Sequence, residues 1–346
     1  MLKTNLNNIF KKVKCKEQKT NCSDSDIFFS KTNSGIKNFF KFLLKNKRVL
    51  FSLLFIIFLL LISIIIPFIY PYDYFTELGV SNFGCSDDTF SFLAPFKFAV
   101  SEQQRINAGE SIWPHIFGTD RNGRDYFIRV IYGTRISLFI GLSSAFVVLI
   151  IGILYGAIAG MKGGKTDLVM MRIADALYAL PDLIAIIFFS VIIKEFLHID
   201  NNSLIGSLFP MFTIFILFYW IETALLIRSQ VLLIKKSDFI IASKTIGASD
   251  GFIIKKHIIP NCLNIIIIAI TKRIPTAIFA EATLSFLGFG IPEPIPSLGY
   301  LMADELSEIL NYPWLTLIPT LVVSSIVLSF YFIGEGLRSR LSPAIN

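Results

Sequence analysis

The sequence predicts an all-α, polytopic membrane protein with about six transmembrane helices. Three observations carry this expectation: an excess of apolar residues, long uncharged runs, and the placement of charge between them. Hydrophobic residues make up 54% of the chain and charged residues only 16%, whereas a soluble domain carries about 25% charged residues. The mean hydropathy of +0.66 points the same way. Length alone would allow two soluble domains, but so much apolar surface needs lipid. The net charge of +7 is compatible with nucleic-acid binding, yet its placement argues against that. Residues 1–48 hold twelve Lys/Arg against three Asp/Glu, and most of the remaining surplus lies in short loops. That is the pattern of membrane topology.

A span needs roughly 20 mostly apolar residues. The first is expected at 49–72, which holds no charge. A signal peptide fits poorly, because the polar leader and the apolar run are both too long. Lys45, Lys47 and Arg48 precede the run, so residues 1–48 are expected in the cytoplasm. Residues 73–135, with six Lys/Arg and eight Asp/Glu, are expected as an extracytoplasmic loop. Phe90, Phe92, Phe96 and Trp113 would anchor it to the core. The second span is expected at 136–161, the third at 172–193 and the fourth at 204–227. A basic loop at 228–262, with six Lys/Arg and two acids, separates these from a fifth span at 263–290. Residues 291–313 carry four acids and no Lys or Arg, and the sixth span follows at 314–334. With residues 136–336 as a five-helix core and 337–346 as a tail, every basic loop falls inside. Lipid requires helices here, since no alternating ten-residue strand pattern appears.

Cysteine and histidine say little. Cys15, Cys22, Cys85 and Cys262 have no metal-type spacing and no obvious disulfide partners, and His115, His198 and His257 are far apart. No metal site and no catalytic residue is expected. Gly160 to Thr166 looks like a phosphate-binding loop, but its spacing is one residue short and it follows a membrane helix rather than a strand. Gly247-Ala248-Ser249-Asp250-Gly251 fits a nucleophile elbow, which needs a strand before it; here both flanks read as helix. Gly247 can end one helix and Ser249 can cap the next. Residues 238–264 therefore read as two short amphipathic helices around a glycine turn, ending at Pro260. Their apolar residues, Phe239, Ile240, Ile246, Phe252, Ile253 and Ile258, need a surface. A lipid interface and a groove on a cytosolic partner serve equally well on physics alone.

The segment resembles the cytoplasmic "EAA" loop of permeases in binding-protein-dependent ABC importers. Ala242, Gly247, Ala248, Ser249, Asp250, Ile258 and Pro260 carry the match, while Ile241 stands where that loop has Glu and Ser243 where it has its second Ala. Gly118-Thr119-Asp120-Arg121-Asn122-Gly123-Arg124-Asp125, continuing to Tyr132-Gly133-Thr134-Arg135-Ile136-Ser137-Leu138, resembles the stretch before the second span of dipeptide and oligopeptide permeases. Glu281 to Gly290 with Pro296-Ser297-Leu298-Gly299 resembles their fifth span and outer loop. Arg172-Ile173-Ala174-Asp175 with Pro181 is similar to their third span. These blocks cover most of residues 115–300 in the family's order, and the long first outer loop favours the C-type subunit.

The resemblance implies the type I ABC importer permease fold, an N-terminal span plus a five-helix core in the inner membrane with both termini cytoplasmic. It implies a second permease subunit in a heterodimer, two ATPase subunits carrying ATP and Mg, and an extracytoplasmic binding protein. This chain itself would bind no cofactor and no nucleic acid, only lipid. Residues 238–260, including Ala242, Ser243, Lys244, Gly247, Ala248, Ser249, Asp250 and Pro260, would dock on an ATPase. Relatives of this subunit also move nickel, glutathione and cell-wall peptides. An intramembrane enzyme is disfavoured because no His lies within a span, and an ATPase-independent channel is the remaining alternative. Lys272, Arg273 and Glu281 are costly in lipid and should face protein or water. They are candidates for pore lining, against snorkelling for the basic pair and a buried interhelix hydrogen bond for Glu281.

Overall fold

A computed structural model of the chain describes residues 46–78, 90–196, 204–291 and 293–341. Cys15, Cys22, Cys85 and His198 lie outside these residues. The chain divides into a unit ending at Leu50, of which the start of the first helix is described, and a unit from Phe51 onward. Among the described residues no strand is present beyond an isolated bridge between Thr119 and Asp125.

Among the described residues five helices are long and apolar enough to cross a membrane. The first, α1 (Lys47–Ile69), has no charge after Arg48 and leaves Phe51, Phe58 and Phe68 on its surface. A short helix, α2 (Val100–Asn107), lies in the polar stretch that follows. The central element is α3 (Tyr126–Lys162), 37 residues long. It begins ten residues before the expected second span, because residues Tyr126 to Arg135, despite the charges of Arg129 and Arg135, are helical and mostly buried. The polar stretch between spans therefore closes at Asp125, not at 135.

The segment expected as the third span is divided. α4 (Gly164–Tyr178) and α5 (Asp182–Phe196) are 15 residues each, or about 22 Å at 1.5 Å per residue. Neither reaches across a hydrocarbon core of about 30 Å. Pro181 follows the break, which fits its missing N–H and its bias against helix at the preceding residue. α6 (Leu204–Phe218) and α7 (Ile221–Ile234) bend at Tyr219–Trp220, and Phe212–Ile234 is long enough to span.

α8 (Asp238–Thr245) and α9 (Asp250–Ile253) follow, joined at Gly247. α9 does not end at Pro260, as the sequence suggested. It runs through a π-helical turn at Ile254–Ile258 into α10 (Ile259–Phe286). Pro260 sits in the first turn of α10, where its missing N–H costs little, and the π turn absorbs the mismatch. The segment from Asp250 and the fifth span are thus one continuous helix, Asp250–Phe286. α11 (Leu298–Asp304) and α12 (Pro313–Leu341) complete the chain.

Small residues let these helices approach. Gly152, Gly156 and Gly160 recur every four residues on α3 and face α7. A Cβ at Gly156 would sit 2.4 Å from the Ala224 carbonyl oxygen, and one at Gly152 would sit 2.6 Å from Thr223 Cβ. In lipid, where apolar side chains gain nothing by leaving the solvent, such close backbone packing drives association. Gly141 meets Ile278 of α10 in the same way, at 2.4 Å. Two buried apolar clusters result, one around Phe215, Trp220 and Leu284 and one around Met161, Val231, Ile253 and Ile258.

Candidate functional site

At the end of the bundle where α3 and α7 terminate, the helix–turn–helix 238–258 lies exposed. Its inner face is buried at Ile240, Ile253 and Ile258. These residues belong to the cluster that anchors α8 and α9 to α3 and α10. Its outer face leaves Ile246 at 86% exposure, Ile241 at 53% and Phe252 at 47%. The turn between the faces is set locally. Gly247 has φ +86°, and no atom lies within 4 Å of where a Cβ would stand. The Ala248 N–H donates to the Ser243 carbonyl at 3.1 Å, closing α8. Ser249 starts α9, its Oγ accepting from the Phe252 N–H at 3.4 Å. Lys244 and Asp250 pair across the turn at 3.3 Å, an exposed pair of small energetic weight. Ile241, at the position where the resembling loops carry Glu, adds apolar area to this outer face.

The Gly118–Asp125 turn lies at the opposite end of α3 and starts that helix. Gly118 has φ +78°, and a Cβ there would overlap the Leu93 carbonyl oxygen at 2.0 Å. Asp120 is fully buried. It accepts from the Asn122 N–H at 2.9 Å, the Arg124 N–H at 2.8 Å and Arg124 Nε at 2.8 Å, and it also pairs with Arg129. Thr119 Oγ1 donates to the Phe90 carbonyl. Gly123 gives a second positive φ. Asp125 caps α3 by accepting from the Ile128 N–H at 3.1 Å.

That cap also closes a cluster that the sequence did not reveal. Asp125 accepts from Tyr70 Oη at 3.2 Å, and His115 Nδ1 lies 2.7 Å from it. His115 Nε2 lies 3.2 Å from Glu102 of α2. His115 and Asp125 are fully buried. Burial alone would lower the His115 pKa, but hydrogen bonds and charge attraction from Asp125 and Glu102 outweigh it and hold the imidazolium up to about 9. The cluster ties the end of α1, α2 and the start of α3 together. Of the four expected aromatic anchors, Phe90 is buried and Phe92 stacks on Tyr312 at 4.4 Å, whereas Phe96 and Trp113 are largely exposed.

Above α11, Arg124 and Tyr300 both bind Glu293, at 2.9 and 2.8 Å. Burial and the neighbouring Asp304 push the Glu305 carboxyl up to about 7.

Glu281 is fully buried and accepts from Ser137 of α3 and Ser285 of α10, each at 2.9 Å. The Leu298 N–H of α11 reaches the same Ser137 at 3.3 Å. Three helices therefore share one polar node. Lys272 and Arg273 instead line a cavity of about 560 Å³ between α7, α10 and α12. Arg273 pairs with Glu222 of α7 at 2.5 Å. In sequence that acid lies 51 residues away, too far for any local pattern to register. A second pair, Arg228 with Asp167 at 2.5 and 2.6 Å, joins α7 to α4. Among the described residues no group of three His, Cys, Asp or Glu is placed to hold a metal ion, and Cys262 is a buried free thiol.

Long apolar helices, a shared glycine seam and an exposed helix–turn–helix at one end define a helical, multi-pass membrane protein. Residues 152–343 match the family described as the binding-protein-dependent transport system inner membrane component. Residues 34–95 match the N-terminal TM domain of oligopeptide transport permease C. The chain is 34% identical to the oligopeptide transport system permease protein OppC of Bacillus subtilis (strain 168), over 94% of this chain and 95% of that one. It is 36% identical to the dipeptide transport system permease protein DppC of the same organism, over 87% and 83%. The OppC protein of Haemophilus influenzae is 31% identical over 86% and 85%. Among solved structures, a chain of the inward-facing MetNI methionine ABC transporter has a TM-score of 0.50. It covers 62% of this chain and 96% of that one at 17% identity, a likeness of fold alone. The chain belongs to the family of inner membrane components of binding-protein-dependent transport systems, and its fold is that of the type I ABC importer permeases.

Proposed function

We propose that this chain is the permease subunit of an ATP-driven peptide importer. The observation that carries this reading is the alignment, nearly end to end, with relatives named oligopeptide and dipeptide permeases. The substrate class comes from those names, and nickel or another small solute is accordingly the less favoured cargo.

The geometry supports the following working parts. The exposed face of 238–258 docks on an ATPase subunit, with Ile241, Ile246 and Phe252 as its apolar contacts. ATP and Mg bind on the ATPase chains. Closure of the ATPase pair displaces the docked loop, and the helical segment Asp250–Phe286, which contains a π turn and Pro275, links that displacement to the Glu281 node. The assembly has a second permease, two ATPase subunits and an extracytoplasmic binding protein. The basic loops support an orientation with both termini and residues 228–262 in the cytoplasm. Parity supports it as well, since α4 and α5 together count as one broken crossing beside the five long helices.

The test is reconstitution of the complex with its ATPase subunits and binding protein in proteoliposomes. ATP-dependent uptake of short peptides is the expected result. Solute flux through the permeases alone, without ATP, would overturn the importer reading in favour of a channel.

A further inference from the structure

The cavity between α7, α10 and α12 holds more charge than the fold uses. Three bases and two acids line it: Lys272, Arg273 and Arg338 against Glu222 and Glu335. Arg273 and Glu222 neutralise each other. Glu335 and Arg338 stand three residues apart on α12, and so are neighbours on one helix face. Neither Glu335 nor Arg338 forms an ion pair with a described residue, so the lining carries one net positive charge. Lys272 is likewise unpaired. It is exposed into the cavity, and its ammonium makes no ion pair with any described residue. It also stands near the middle of the 28-residue α10, where lipid contact would be most costly for a charge. The remaining walls are largely apolar, as at Leu226, Ile268 and Phe330.

One net positive charge, with Lys272 unpaired and exposed on the wall, and apolar surroundings suit a ligand with a single carboxylate on an organic body. The volume falls within the range of small-molecule pockets. Glu222 and Glu335 stand against a polyanion, and the surplus positive charge stands against a bare cation. We propose that this cavity is a transit subsite for the C-terminal carboxylate of a zwitterionic peptide, with Lys272 as its charged contact. The proposal rests on the importer reading and adds what the permease itself recognises, as distinct from its binding protein.

The experiment uses the complete transporter in proteoliposomes with two probes, a tetra-alanine peptide and its C-terminal amide. The ratio of their initial uptake rates is measured for the wild type and for Lys272→Gln. The binding protein is common to both, so its own preference cancels in the quotient. Lys272→Gln should lower the carboxylate-over-amide ratio roughly tenfold, the scale of one charge-assisted hydrogen bond. Lys272→Arg should restore most of it. A ratio within twofold of wild type in Lys272→Gln overturns the subsite while leaving the importer reading intact. Loss of the second permease from purified Lys272→Gln complexes also overturns it, because the lysine would then be an interface charge. If the wild-type complex takes up neither peptide, the importer reading fails first.

Discussion

Replacing Gly247 by valine tests the docking role of residues 238–258 at the place where the backbone is least replaceable. Gly247 holds φ +86° with open space around the missing Cβ. The substitution therefore meets no steric clash with other residues, and the penalty is entirely one of backbone conformation. An L-residue in the left-handed region costs about 1–2 kcal/mol, and a β-branched side chain stands at or above the upper end. The turn can escape only by rotating α8 against α9, which dismantles the surface formed by Ile241, Ile246 and Phe252. If docking requires the observed turn, affinity for the ATPase subunit should fall roughly 5- to 30-fold, with alanine at the lower limit. Gly247→Asn should be milder than valine, because asparagine tolerates this region. The assay is ATPase-subunit binding to the detergent-solubilised permease, alongside the amount inserted in the membrane and ATP-driven uptake. Insertion should be unchanged, since α7 and α10 form without the turn. Binding within twofold of wild type together with full transport in Gly247→Val would refute the coupling role.

Four further outcomes are expected. Ile246→Asp changes a side chain that is 86% exposed, so thermal stability of the isolated permease should hold while ATPase binding drops severalfold; unaltered binding would remove Ile246 from the interface. Because the outer face is apolar at Ile241, wild-type docking should also weaken less in 0.5 M salt than in relatives that keep Glu there, screening being a property of exposed charge pairs. The His115 pKa is raised to about 9, so its stabilising contribution is complete below the unfolded value of about 6.5 and is lost as pH climbs through 9; the melting temperature should fall from pH 7 to pH 10, and His115→Gln should flatten that slope. Single cysteines at Leu310 and Thr245 test the orientation in intact cells: a membrane-impermeant thiol reagent should label the first and spare the second, and labelling at Thr245 would reverse the topology.

Much of this architecture was legible from local chemistry. Uncharged runs marked the long helices, because the hydropathy of each span is a property of contiguous residues. Gly247 and Ser249 announced a helix end and a helix start, since a positive φ and an N-cap are decided within four residues. Family resemblance places the Gly118–Asp125 block before a span, and its part as the cap of α3 needed coordinates. Polar residues inside apolar surroundings misled the reading at Tyr126–Arg135, where burial of Arg129 beside Asp120 makes helix out of what hydropathy marks as loop. Pro260 misled it as well, because a π turn at Ile254–Ile258 lets the helix pass.

The sequence by itself determined the membrane class, the approximate spans, the basic side of the protein and the turn at Gly247. Each of these depends on neighbours in the chain. The tertiary structure decided which charges are matched: Arg273 by Glu222, Arg228 by Asp167, His115 by Glu102 and Asp125. It also decided that Lys272 is left over. Such pairs join different helices or loops, and in a low-dielectric interior an unpaired charge is costly. Whether a charged side chain serves the fold or remains available for a ligand is therefore settled by the helices packed against it, which no run of adjacent residues encodes.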